Sequence, residues 1–77
     1  MSEKPLSFGE RAVGLTFNPG NNSEVDACKR EFAAAIDRMN ILRTVTADPE
    51  VKRMCSVAIT EAQTAQMWAV KAITWKF

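Results

Sequence analysis

The residues best suited to chemistry in this sequence are aromatics and cations, not acids or nucleophiles. Phe17 and Asn18 stand in a turn-rich stretch, Lys29 and Arg30 follow it, and Trp68 and Lys71 lie near the other end. Aromatic faces stack on bases, and ammonium or guanidinium groups meet phosphates. After Glu61 the chain carries no acid, only Lys71 and Lys76. Each residue also has a plainer reading. Phe17 would plug the end of a core, and Trp68 would sit in an interface. Lys29 and Arg30, next to Glu31, would be surface charge, as would Arg11 beside Glu10 unless an oligomer folds it inward. Thr60 and Thr64, one turn apart, fit tight helix contact better than ligand contact.

Catalysis has little to work with. There is no His, no Tyr, no Gly-rich phosphate motif and no Gly-x-Ser-x-Gly elbow. Asp26, Glu31 and Asp37 do not converge, and Glu61 stands alone, whereas acid–base work needs two groups within reach of one substrate atom. No enzyme is expected, and no cofactor. Cys28 and Cys55 are the only cysteines, so a zinc site would lack both His and paired spacing.

At 77 residues the chain suits one domain. So small a core usually leans on disulfides, a metal or oligomerisation, and here oligomerisation remains. Ten Lys and Arg against nine Asp and Glu give a net charge of +1, which argues against coating a DNA or RNA polymer. No apolar run is long enough to span a membrane. Met1-Ser2-Glu3-Lys4-Pro5 lacks a signal-peptide core, so the expectation is a cytosolic protein with reduced thiols.

These side chains must be placed by helices. Residues 1–6 read as a frayed lead-in, and 7–14 as a short helix that Ser7-Phe8-Gly9-Glu10 opens with capping-box spacing and Gly14 ends. Residues 15–22, with Pro, Gly and three Asn, read as a loop. A long helix over 23–46 starts at Ser23, with Asp26 as a weak capping-box partner. Its stripe is Val25, Cys28, Phe32, Ala35 with Ile36, Met39, Leu42 and Val45. Asp48 as N-cap and Pro49 at the first turn open a second long helix over 48–75. One face of it is Val51, Cys55, Ala58, Ala62, Ala65, Ala69 and Ala72; another is Ile59, Val70, Ile73 and Phe77.

The fold class is therefore all-α: a short N-terminal helix and two long antiparallel helices. In that hairpin, paired positions sum to roughly 95, and the two thiols lie beyond disulfide reach in one chain. A helix apolar on so many faces must be covered on several sides, which implies a homo-oligomer. The open end of the hairpin gathers Phe17, Asn18, Lys29, Arg30, Trp68 and Lys71, and free amides at the long helix's start would add to an anion site.

Several segments resemble a phage family. They are Gly9-Glu10-Arg11-Ala12-Val13-Gly14-Leu15-Thr16-Phe17-Asn18-Pro19-Gly20, then Val25-Asp26, Lys29, Ala35-Ile36-Asp37, and Ala65 to Trp75 with its Met67-Trp68-Ala69 core. The chain is similar to the helical-hairpin family that includes the anti-CBASS and anti-Thoeris cyclic-nucleotide sponges. That resemblance implies a hexamer in the host cytoplasm. It would hold cyclic di- or trinucleotides, or a cyclic ADP-ribose type signal, without degrading them. It also implies dinucleotide pockets between protomers, with trinucleotide sites on the three-fold axes of some members. Phe17 corresponds to the loop aromatic that stacks on a base, and Lys29, or Arg30 one register away, to the phosphate-binding Lys. Phe17 stands where those relatives carry Tyr, and Asn18 where they carry His. Stacking survives that change; a hydroxyl hydrogen bond does not.

Two other readings stay open. A small oligomeric helical adaptor would inhibit a host protein through Trp68, Trp75 and Phe77. A small nuclease or hydrolase would turn its ligand over.

Overall fold

A computed structural model describes residues 5–76. Within it α1 spans Phe8–Ala12, α2 Ser23–Val45 and α3 Pro49–Ile73, with no strand among the described residues.

Local chemistry sets each boundary. Ser7 is the N-cap of α1: its hydroxyl accepts from the Glu10 amide while the Glu10 carboxylate accepts from the Ser7 amide, a reciprocal capping box. Gly14, at φ +62°, turns the chain out of α1 in a conformation that favours glycine. Asn22, not Ser23, caps α2, its side-chain oxygen accepting from the Glu24 and Val25 amides. The expected pairing of Ser23 with Asp26 gives way to this cap, and Asp26 instead binds Arg30 one turn on. Asp48 accepts from Glu50 and Pro49 fills the first turn of α3.

Only residues 46–48 separate α2 from α3, so the helices run antiparallel. Near this closed end Arg43 donates to the Ser56 hydroxyl (3.1 Å), and Lys52 donates to the Arg43 carbonyl (2.9 Å). The core sits in the middle of the hairpin, where Ile36 is fully buried against Ala33 and Ile59, with Val13 and Leu15 inserted from the segment after α1.

The inward stripes differ from the expected ones. On α3 the inner residues are Val51, Cys55, Ile59, Ala62, Gln66, Val70 and Ile73, which merges parts of the two faces read from sequence, while Phe77 of the second face lies outside the described residues. Ala58, Ala65 and Ala72 face outward. On α2 the buried residues are Val25, Lys29, Ala33 and Ile36, while Ala35, Leu42 and Val45 are exposed. The cause is the period. Val51, Ala62 and Ile73 recur every eleven residues, about 3.67 per turn, near the pitch of a straight helix. A seven-residue reading drifts about 20° per repeat from that line.

The short helix is held by α2 rather than by its own length. Asp37 accepts from the Ser7 hydroxyl (2.7 Å) and the Gly9 amide (2.6 Å), and Gly9 lies so close that an added Cβ would overlap the Ala33 carbonyl. Gln63 of α3 donates to the Ala12 carbonyl at the other end of α1 (3.3 Å). The lead-in is not all frayed: Leu6 packs against the core, while residues 1–4 lie outside the described ones. Both thiols are free, Cys55 buried and Cys28 half-buried. Burial, with Glu31 adding to it and Lys29 opposing, pushes the Cys28 thiol above its ordinary range.

Candidate functional site

The loop between α1 and α2 folds on its own polar groups. The Phe17 amide donates to the Gly14 carbonyl (2.9 Å) and the Asn21 amide to that of Asn18 (2.8 Å). The Asn18 amide group is committed on both sides, donating to the Asn22 carbonyl (2.8 Å) and accepting from the Asn22 amide (3.1 Å). Asn18 therefore shapes the loop. The Glu24 and Val25 amides of α2 are likewise taken by the Asn22 cap, which leaves little of the anion site expected from free amides there.

What the loop presents is Phe17, whose ring is 73% exposed and so is not a core plug. Beneath it lies Lys29, only 5% exposed, which overturns its reading as surface charge. Its ammonium donates to the Gly14 carbonyl (2.9 Å) and to the Phe17 carbonyl, and lies 5.6 Å from the Phe17 ring centre. An ammonium has three N–H bonds. Two are committed to the loop, and the buried charge is tolerated because of them.

Two clefts flank Phe17. One, of about 470 Å³, has Val25 and Lys29 of α2 on its floor, the loop residues 17–20 on one side, and Val70, Ile73 and residues 74–76 on the other. The second, of about 560 Å³, shares Phe17, Lys29 and Val70 and adds Arg11, Gln63, Gln66 and Met67. Phe17, Asn18 and Lys29 thus come together at the first cleft, and Arg11 reaches only the second, where it also donates to the Leu6 carbonyl (3.0 Å).

The remaining expected residues go elsewhere. Arg30 lies on a separate cleft with Glu10 and Asp26, and its guanidinium is paired to Asp26 at 2.8 Å. It shares neither cleft with Phe17. Trp68 and Lys71 lie with Met67 on the outer face of α3, where the Lys71 ammonium sits 5.0 Å from the Trp68 ring and 5.6 Å from that of Trp75. Trp75 and Lys76, by contrast, line the Phe17 cleft although the sequence reading did not place them there. The signal was available: antiparallel positions summing to roughly 95 set Trp75 opposite Gly20.

The chemistry of the first cleft suits a small anion-bearing aromatic ligand. It offers an exposed ring, two lysines and no carboxylate among its lining residues, and its volume falls in the range of roughly 300–1,000 Å³ typical of small-molecule sites.

No curated protein and no solved structure matches the chain to a significant degree. The model of the Acb2/Tad1 hairpin domain matches residues 10–74, which takes in the loop, both long helices and the lining of the two clefts apart from Trp75 and Lys76. The chain belongs to that family, the phage anti-CBASS and anti-Thoeris sponge proteins.

Proposed function

We propose that this protein binds cyclic oligonucleotide signals of bacterial anti-phage defence, or a cyclic ADP-ribose type signal, and sequesters them intact in the host cytoplasm. The observation that carries the reading is Phe17. An exposed aromatic is held on a fixed loop above a buried ammonium, at the mouth of a cleft without carboxylates, in a chain of a sponge family. A base stacks on the ring, and its phosphate is met by the third N–H of Lys29 or by a more mobile lysine. Sequestration rather than turnover fits the lining, which carries no carboxylate, imidazole or thiol.

Sequestration also requires tight binding. A nanomolar dissociation constant corresponds to about −12 kcal/mol, which a half-open cleft on one chain does not readily supply. Self-association would close it, and the exposed apolar surface supports that step. Met54, Val57, Met67 and Trp68 stand out on α3, Trp75 just beyond it, and Ile41 and Val45 on α2, each at least 48% exposed. The radius of gyration is 14.0 Å, against about 11.5 Å for a compact chain of this length. We take the working form to be a homo-oligomer, with a hexamer as the family's expectation.

A thermal-shift panel tests the reading. Cyclic di- and trinucleotides and cyclic ADP-ribose are each supplied in excess, and the ligand is recovered by heat and chromatographed. A ligand at a hundred times its dissociation constant adds about 2.7 kcal/mol of stability. The expected outcome is a clear rise in Tm with at least one of these ligands, recovered unchanged. A cleaved ligand would mark an enzyme. No shift with any of them would leave the exposed aromatics of α3 as anchors for a host protein.

A further inference from the structure

We propose that Trp75 and Lys76, just past the end of α3, complete the ligand site. Trp75 forms the second aromatic wall of the Phe17 cleft, and Lys76 supplies its mobile phosphate-binding cation. The inference rests on the cyclic-nucleotide reading above and names two recognition residues for it.

Three observations converge. First, Phe17 and Trp75 come from opposite ends of the sequence yet line the same cleft, and both rings are more than half exposed. A crevice of about 470 Å³ with two aromatics in its lining has room for a flat base, and aromatic stacking tolerates any base identity.

Second, the positive charge near the cleft is unevenly available. The Lys29 ammonium is buried and committed to the Gly14 and Phe17 carbonyls. Lys71 sits over the Trp68 and Trp75 rings, off the cleft. Lys76 lines the cleft, is exposed, and has no hydrogen-bond or ion-pair partner among the described residues.

Third, the other polar groups of that wall are already engaged. The Thr74 hydroxyl donates to the Val70 carbonyl (2.8 Å), and the Asn18 amide binds Asn22. Recognition then falls to ring faces and to the one uncommitted ammonium. The neighbouring cleft that holds Arg30 contrasts with this one, since Glu10 and Asp26 line it and would repel a phosphate.

The two indoles of the chain make the idea readable, because Trp68→Phe leaves Trp75 as the only one. That variant is titrated with cyclic GMP–AMP while emission and heat of binding are followed together. The expected result is a change in Trp75 emission that saturates with the heat. In a parallel series, Trp75→Ala weakens affinity tenfold or more, and Lys76→Ala three- to tenfold with a shallower salt dependence. Binding heat with unperturbed Trp75 emission, or Trp75→Ala within twofold of the parent, overturns this inference and leaves the sponge reading standing. No heat with any cyclic nucleotide overturns both. The emission titration keeps Trp75 in place, so it decides the matter even where Trp75→Ala folds poorly.

Discussion

The Lys29 ammonium lies 5.6 Å from the centre of the Phe17 ring and donates to the carbonyl of that same residue. One cation thus fixes both the backbone and the environment of the aromatic above it. Lys29→Met keeps the apolar stem but leaves the Gly14 and Phe17 carbonyls without this donor. Bonds to a charged donor contribute about 1.5–3 kcal/mol each, partly offset by relief from burying the charge. The expected loss is about 2 kcal/mol, or roughly 8–16 °C in Tm for a domain of this size. An unchanged melting curve would show that the loop holds itself.

Phe17 is mostly exposed, so its removal should spare the fold. Phe17→Ala is expected to weaken cyclic dinucleotide binding tenfold or more, in line with about 1–3 kcal/mol for one stacked base. Circular dichroism and the number of subunits in the assembly should stay as they were. Full affinity in calorimetry would remove Phe17 from the site.

α1 has only five residues and cannot stand without its neighbour. Gly9→Ala forces a methyl group into the Ala33 carbonyl, and Asp37→Ala removes the acceptor for Ser7 and Gly9. Each is expected to lower stability by about 2–3 kcal/mol, measured by urea denaturation, and to loosen Val13 and Leu15 from the core. Parent-like midpoints would mean that α1 is dispensable.

Self-association makes its own prediction at Ala65, which faces outward on α3 between Glu61 and Trp68. Native mass measurement should find the parent well above its 8.6 kDa chain mass. Ala65→Glu places a charge in the shared face and should drive the protein toward monomer, because an unpaired charge in an apolar contact is strongly unfavourable. A parent that is monomeric at micromolar concentration would remove the assembly from the proposal.

Much of this architecture was legible before any coordinates. Ser7 with Glu10, Gly14, and Asp48 with Pro49 each announce a boundary through a local hydrogen bond or a fixed φ, and such signals need no tertiary context. The stripes were harder. Alanines at 58, 65 and 72 invite a seven-residue count, whereas the packing follows eleven, and only a partner helix decides between them. Lys29 misled for a different reason. A lysine one turn after Val25 reads as solvated unless carbonyls wait for it, and those carbonyls come from a loop twelve to fifteen residues upstream. Trp75 was masked by its bulk, which reads as interface from sequence whether it lines a cleft or meets another subunit.

The three-residue link between the long helices has a practical side. It stands at the far end of α2 from Phe17, roughly 35 Å away along a helix of this length. A dye or affinity handle grafted at exposed Ala47 would leave the Phe17 mouth clear. The same handle fused beside Lys76 would crowd it, and capture assays built that way would under-count the ligand.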